Sequence, residues 1–232
     1  MAEEIVHRSV HAVFTSAADG DLRSDAPSAE LRSRRSAIAA GSWTWLRQVH
    51  GSDVVVVERP GDHAGARADA AVTTTPGAVL AVQTADCAGV LLAGAATQDP
   101  DGSVRCVGVA HAGWRGLGGG VLQRTVEVLR TSGADRVTFR LGPCISPDAY
   151  EFGVEDLDRL TGRYGDAVRG ETSWGAPALD LRAAVRAALA EVGAVDISDG
   201  DPSCTATDDR YFSFRARGDV ARQAAVTWMT IS

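Results

Sequence analysis

Short apolar segments alternate along the chain with turns rich in glycine, proline and acidic residues. Apolar runs of about four to eight residues bounded by such turns are typical of β-strands. One run leads from Val107 through His111 into a glycine-rich break, and a segment with helical periodicity follows the break. The pattern predicts strands at residues 5–15, 43–50, 54–57 (buried), 69–73, 79–87, 106–111, 136–141, 195–197, 211–214 and 226–228.

Apolar residues recur every three or four positions in a smaller number of segments, which predicts helices at residues 29–40, 121–130, 154–160 and 180–191. The last of these has the clearest signals, because Asp180 is a good N-cap and Gly193 follows the final apolar position. Strands outnumber long helices and do not alternate with them regularly. This order favours an α/β (α+β) fold, a layered domain of mixed β-sheets flanked by helices, over a doubly wound parallel sheet. No internal repeat or linker divides the chain, so residues 1–232 are expected to form one domain.

The composition narrows the functional classes. A net charge of −7 argues against nucleic acid or an anionic membrane surface as the main partner, and no apolar run has the length of a membrane-spanning helix. The four cysteines are far apart and form no CxxC pair, which favours a reducing, cytoplasmic compartment. All 23 basic residues are arginine, which excludes a P-loop lysine and a pyridoxal Schiff base.

Two histidines and one cysteine occupy strand ends or glycine turns: His50, Cys87 and His111. Three protein ligands with an open fourth position are typical of catalytic zinc sites, where the metal can lower the pKa of a bound water. The long gaps between these residues do not fit a zinc finger, but they are normal for a site built at the ends of separate strands. Spacing alone is a weak signal, and residue type alone favours a packed core histidine and an inert buried cysteine. The occurrence of all three residues in turn-rich settings favours a site.

Several motifs resemble one known family in their sequence order. They are Gln-Val-His-Gly at 48–51, Thr-Ala-Asp-Cys at 84–87, His-Ala-Gly-Trp-Arg-Gly at 111–116, and Gly-Pro-Cys-Ile at 142–145 with Tyr-Glu at 150–151. Together they resemble the laccase-domain family, also called polyphenol-oxidoreductase-like or multicopper-oxidase-4 proteins and largely described as purine nucleoside phosphorylases. The resemblance extends from about Trp43 to Trp228.

This resemblance implies a layered fold similar to cysteine hydrolases of the cytotoxic-necrotizing-factor type, with zinc held by His50, Cys87 and His111. It implies phosphorolysis of adenosine, inosine, guanosine and methylthioadenosine, with adenosine deamination as a further activity. Purine nucleosides and phosphate would then be the small-molecule partners. Copper is less favoured than zinc, because the chain lacks the His-x-His pairs of a multicopper cluster.

Two further residues are candidates for this chemistry. Arg115, close to His111, is the first candidate for binding phosphate, and Arg47 is a weaker one. Asp86 would transfer protons in a deamination, although an acid beside a turn is as often a capping residue.

The chain departs from the family pattern in two places. Residues 16–21 replace an arginine-bearing early segment, and residues 213–218 read Ser-Phe-Arg-Ala-Arg-Gly, where the family has Ser-Tyr-Arg-Arg-Asp-Gly. Loss of the early arginine would weaken or retune phosphorolysis if that residue helps to bind phosphate or the nucleoside.

Two other functional classes fit the same residues. The first is a cysteine hydrolase or amide-cleaving editing enzyme, with Cys87 as nucleophile and His111 as base. The second is a non-catalytic metal-binding protein. Metal content separates the first from the zinc enzyme, because bound zinc would hold the Cys87 thiolate. The sequence assigns no oligomeric state.

Overall fold

The computed structural model describes residues 8–99 and 103–231. Its first sheet has four strands in the order β1 (Arg8–Phe14), β12 (Gln223–Ile231), β5 (Val79–Thr84) and β2 (Trp43–Trp45). Strand β12 pairs antiparallel with β1 and β5, whereas β2 pairs parallel with β5. The predicted strand at 5–15 is confirmed over Arg8–Phe14, and residues 5–7 lie outside the described part of the chain.

The second sheet has six strands and contains the central part of the chain. Their order is β11 (Val195–Asp196), β8 (Arg136–Leu141), β6 (Ala88–Ala95), β7 (Val104–Ala112), β4 (Ala70–Thr73) and β3 (Val54–Val57). The outer pairs β11–β8 and β3–β4 are parallel, and the inner pairs are antiparallel. A separate hairpin joins β9 (Arg169–Glu171) to β10 (Pro177–Leu179). The mixed sheets expected from the irregular order of elements are confirmed.

The described residues also form six α-helices, which are α1 (Ser28–Ile38), α2 (Trp114–Gly119), α3 (Val121–Thr131), α4 (Val154–Tyr164), α5 (Leu181–Glu191) and α6 (Phe214–Arg217). The four longer helices correspond to the four predicted ones. In α3, for example, Leu122, Val126 and Leu129 share one face and are fully buried. None of the described helices is long and apolar enough to cross a lipid bilayer.

Alternation along the strands places the two sheets face to face. In β5, Leu80 and Val82 belong to an apolar cluster shared with β7 of the other sheet, whereas Val79 and Ala81 pack in a cluster with Leu31 of α1. Helices α2 to α5 pack against the opposite face of the six-stranded sheet. The result is four layers, helix–sheet–sheet–helices, which explains why the inner strands are apolar on both faces.

Several details differ from the predictions. The strand predicted at residues 43–50 ends at Trp45, and neither β6 nor the β9–β10 hairpin was predicted. Residues 211–214 are not a strand, because Ser213 caps α6 by accepting a hydrogen bond from the Ala216 N–H group at 3.1 Å. Strand β3 is an edge strand rather than a buried one, and 46% of Val56 is exposed. The break after His111 is short, since α2 begins at Trp114 and Arg115 lies in its first turn.

The N-cap of α5 provides a test of the local sequence signals. The Asp180 side chain accepts a hydrogen bond from the Ala183 N–H group at 2.9 Å, as its position predicted. Asp180→Ala should lower the free energy of unfolding by about 1 kcal/mol, measured by urea denaturation, because this N–H group loses its acceptor. Asp166→Ala, which removes a largely exposed carboxylate, is the matched control. Equal stability of the two variants would contradict the capping role.

Candidate metal centre and cavity

His111 lies at the end of a strand in the middle of the six-stranded sheet. It belongs to β7, pairs with Gly89 of β6, and donates its backbone N–H group to the carbonyl of Asp69 at 2.7 Å. The residue is only 3% exposed. Nδ1 of the ring lies 2.8 Å from Oδ1 of Asp69. When Nδ1 donates this hydrogen bond, Nε2 carries the free lone pair of the neutral ring.

The Asp69 carboxylate is completely buried and joins two segments of the site. Besides His111, it accepts hydrogen bonds from the backbone N–H groups of Val49, His50 and Gly51, at 2.7–3.2 Å. Burial alone would raise the pKa of Asp69, but these hydrogen bonds outweigh it and lower that pKa. A buried, charged carboxylate therefore positions both the loop that carries His50 and the ring of His111.

His50 has a left-handed backbone, with φ of 56°. This conformation is costly for a residue with a Cβ atom, and the hydrogen bonds to Asp69 hold it. It brings the imidazole close to Gly113, where an added Cβ atom would lie 2.7 Å from Cδ2 of His50 and 3.2 Å from Sγ of Cys87. Only glycine at position 113 leaves room for both side chains.

Cys87 lies in the turn between β5 and β6, after Asp86, which has a φ of 95°. The Asp86 carboxylate accepts hydrogen bonds from the hydroxyl groups of Thr205 and Ser213 and from the backbone N–H group of Arg215, at 2.6–2.7 Å. These bonds fix a turn that would otherwise be strained. They also occupy both oxygens of Asp86, which is buried.

The three predicted ligands come together. The donor atoms of His50, Cys87 and His111 all lie within 4.8 Å of one another, and Sγ of Cys87 is 3.8 Å from Nε2 of His50. Ligand atoms around a tetrahedral zinc ion are roughly 3.3–3.8 Å apart, as its bond lengths require. Among the described residues this is the one group of three or more such side chains. The Cys87–His50 separation lies at the upper end of this range, and two imidazoles with a thiol are a donor set that could hold a metal ion.

The charges within this group also suit metal binding. Burial raises the pKa of the Cys87 thiol, but the two histidines outweigh that effect and lower it to about 6. Burial opposes protonation of His111, yet the Cys87 thiolate and Asp69 raise its pKa to about 9. Without a metal, Cys87 is therefore a thiolate and His111 an imidazolium at neutral pH. Binding of a metal would replace the imidazolium proton.

The three side chains open into a cavity of about 490 Å³. Four arginines line it: Arg23, Arg47, Arg215 and Arg222. Its walls also include the aromatic rings of Tyr150 and Phe214 and the side of Gln83. The guanidinium of Arg215 lies 5.0 Å from the centre of the Tyr150 ring. The cavity thus combines positive charge, aromatic surface and the metal donors.

Of the other residues singled out from the sequence, some lie at the cavity and others do not. Asp86 lies at the cavity, but its oxygens are already hydrogen-bonded. Arg47 lines the cavity, whereas Arg115 does not and stacks on Trp114 at 4.6 Å. Cys106, expected to be inert packing, is fully buried in β7, and burial raises its pKa to about 11.

Sequence reasoning overlooked several residues of the site. It did not single out Asp69, although an acid at the start of an apolar strand is a signal worth noting. It also overlooked Arg23, Arg215 and Arg222, because nothing in their local sequence indicates a shared cavity. Arg23 follows the segment in which the family's early arginine is replaced, and it supplies a cation there.

The role of Asp69 can be tested by a nearly isosteric change. Asp69→Asn places an NH₂ donor against backbone N–H groups, so the loop and the His111 ring should lose their positions. Zinc affinity, measured by competition with a chromophoric chelator, should fall about 10- to 100-fold. Asp53→Asn, a change to a largely exposed carboxylate between the His50 loop and β3, should have little effect. Unchanged affinity in Asp69→Asn would show that Asp69 does not position the ligands.

Comparison with known proteins identifies the family. Residues 10–230 match the family described as multi-copper polyphenol oxidoreductase laccase. A purine nucleoside phosphorylase of Streptomyces coelicolor is 38% identical over 203 residues, which cover 86% of this chain and 80% of that protein. The purine nucleoside phosphorylase YfiH of Escherichia coli is 36% identical and covers 88% of this chain, with 83% of its own length matched. The crystal structure of YlmD from Geobacillus stearothermophilus matches with a TM-score of 0.78 at 26% identity, covering 95% of this chain and 92% of that one. The chain therefore belongs to the multi-copper polyphenol oxidoreductase laccase family.

Proposed function

We propose that the protein is a zinc-dependent purine nucleoside phosphorylase. One observation carries this proposal. The donor atoms of His50, Cys87 and His111 face the same cavity that four arginines line. Phosphorolysis needs an anion site beside the ribose C1′ atom and stabilisation of the departing base, and such a cavity offers both. The relatives that carry the name purine nucleoside phosphorylase support the same activity.

Arg47 is our first candidate for the phosphate contact. It precedes the His50 loop, lines the cavity, and its guanidinium makes no hydrogen bond or ion pair with another described residue. Arg23 is instead paired with Asp21, with 2.9 Å between the charged atoms, and Arg222 donates to two backbone carbonyls. A free guanidinium fork can form two charge-assisted hydrogen bonds with a phosphate. This preference replaces Arg115, which sequence proximity to His111 had favoured.

The aromatic side of the cavity suits the nucleoside. Tyr150 and Phe214 offer flat apolar surface for a purine, and Gln83 offers an amide for a ribose hydroxyl or a base edge. Burial raises the pKa of Tyr150, so its hydroxyl stays neutral and can donate a hydrogen bond. We assign Tyr150 the role of orienting the substrate in the cavity, next to His50, Cys87 and His111.

The reaction uses these parts in a simple order. A phosphate oxygen held by the arginines attacks C1′, the bond to the purine nitrogen breaks, and its electron pair goes to the base, which takes up a proton. Zinc held by His50, Cys87 and His111 would supply Lewis acidity beside the arginines. Adenosine, inosine, guanosine and methylthioadenosine are the proposed substrates.

Adenosine deamination is the proposed side activity, and it would need a residue that transfers protons. Asp86 was the sequence candidate. Because three hydrogen bonds hold its carboxylate, we assign it a positioning role at the Cys87 turn instead.

A cysteine hydrolase is a second candidate, and one observation favours it. Cys87, His111 and Asp69 stand in the order of a nucleophile, a base and an orienting carboxylate, with the Cys87 pKa lowered to about 6. Bound zinc would remove this option by holding the thiolate. Amide or ester cleavage by metal-free protein, with loss of that activity on adding zinc, would support the hydrolase.

Incubation with adenosine tests the function and the arginine assignment together. Product formation should require phosphate and yield adenine with ribose 1-phosphate, identified by chromatography. Arg47→Ala should raise the KM for phosphate about 10- to 100-fold, since a charge-assisted contact is lost, while the KM for adenosine changes far less.

Arg115→Ala is the matched control, because this arginine lies outside the cavity lining. A larger phosphate effect in Arg115→Ala than in Arg47→Ala would reverse our assignment. Inosine formed without phosphate as the only product would make the protein a deaminase. No turnover with an intact metal site would favour a non-catalytic metal-binding protein.

Metal analysis tests the ligand set. Purified protein should hold zinc near one equivalent per chain, and Cys87→Ala should lose both metal and activity, because two histidines alone bind zinc weakly. Cys106→Ala, at a buried thiol remote from the donors, should keep both. Copper in large excess over zinc would refute the zinc assignment. Loss of activity with full metal content in Cys87→Ala would support the nucleophile role.

A further inference from the structure

Two thiols outside the metal group face each other across neighbouring segments. Cys144 follows β8, and Cys204 lies in the connection after β11, where the two residues form an isolated parallel bridge. The Cys144 N–H group donates to the Ser203 carbonyl, and the Thr205 N–H group donates to the Cys144 carbonyl, both at 3.3 Å. Both cysteines are free thiols.

The backbone pairing brings the two side chains into disulfide range. Directly paired residues on neighbouring strands are roughly 4.8 Å apart and carry their side chains on the same face. Disulfides join residues whose Cα atoms are about 4.4–6.8 Å apart. A bond between Cys144 and Cys204 would therefore need adjustment of the side chains rather than a change of fold.

The two thiols have unequal surroundings. Cys204 is partly exposed, and its Sγ accepts a hydrogen bond from the backbone N–H group of Ser146 at 3.4 Å. Burial raises the pKa of Cys204, but hydrogen bonds from Ser146, Thr207 and Ala206 outweigh it, and the net shift is downward. Cys144 is fully buried, which raises its pKa to about 12, although Arg182 at its side opposes that shift. A partly exposed thiol with a lowered pKa thus lies beside a buried thiol with a raised pKa.

We propose that Cys204 and Cys144 form a peroxide-sensitive dithiol that closes to an intramolecular disulfide. The Cys204 thiolate attacks hydrogen peroxide, the O–O bond breaks, and Cys204 becomes a sulfenic acid as hydroxide leaves. The sulfur of Cys144 then attacks the sulfenic sulfur, the S–O bond breaks, and water leaves with the Cys144 proton. Peroxide is the two-electron oxidant in this sequence, and a dithiol reductant reverses it.

The disulfide would act on the segments that hold the Cys87 turn. Thr205, next to Cys204, donates its hydroxyl to the Asp86 carboxylate, and the Ile145 N–H group, next to Cys144, donates to the Asp86 carbonyl at 2.9 Å. Closing the S–S bond draws these two segments together at both contacts. Formation of the disulfide does not depend on the proposed phosphorylase activity. Its effect on turnover does rest on that proposed function.

Peptide mapping of the full-length protein tests the proposal without an activity assay. The protein is treated with hydrogen peroxide, the remaining thiols are alkylated, and peptides are mapped without reduction. We expect one crosslink between the peptides that contain Cys144 and Cys204, the loss of two hydrogens from the intact mass, and full reversal by dithiothreitol. Cys106→Ala, the control at a buried thiol, should form the same crosslink.

Two variants distinguish the roles of the thiols. Cys144→Ala should leave Cys204 as a sulfenic acid that dimedone traps, and Cys204→Ser should leave Cys144 as an alkylatable thiol after the protein is unfolded. Oxidation confined to Cys87, a crosslink that includes Cys87, or both thiols unchanged at a peroxide dose that oxidises an exposed model thiol would overturn the proposal.

Discussion

A single buried carboxylate determines where the site can form. Asp69 lies at the start of β4, fully enclosed, and holds both the backbone of the His50 loop and the ring of His111. An isolated charge in that position would be costly, and its hydrogen bonds make it stable. The metal donors, the left-handed backbone at His50 and the thiolate of Cys87 all depend on this arrangement, because each is positioned or charged through His50 or His111.

The sequence predicted most elements that local patterns define. Helix α5 is an example, since Asp180, its apolar positions and Gly193 all lie within one short segment. The prediction failed at residues 211–214, where apolar residues suggested a strand. There the Gln223 side chain holds the backbone of Phe212 at 2.8 Å and Ser213 reaches Asp86, which are contacts with distant parts of the chain. The likeness to cysteine hydrolases stays a prediction.

The site shows the same difference between residues that a local motif identifies and residues that only tertiary contacts bring in. His50, Cys87 and His111 could be found because each lies in a recognisable short motif. Asp69 was overlooked because its partners are 18 to 42 residues away, and its position before an apolar strand was its one local signal. Proximity in sequence did not place Arg115 in the cavity lining, since a strand ends and a helix begins between it and His111, and its role in binding phosphate stays a prediction. The cavity arginines at 23, 215 and 222 meet through the tertiary fold alone.

The contacts of Asp86 have a consequence for how the protein is made. All three metal donors lie within residues 50–111, but the groups that fix the Cys87 turn come from residues 205–215. Strand β12, which lies between β1 and β5, is later still. During synthesis, the Cys87 turn therefore leaves the ribosome well before the residues that fix its geometry, whereas Asp69, which holds His50 and His111, emerges together with them. Until residues 205–215 have emerged, a nascent chain carries the Cys87 thiol without the contacts that fix its turn, and the three donors take up their common arrangement only late in folding.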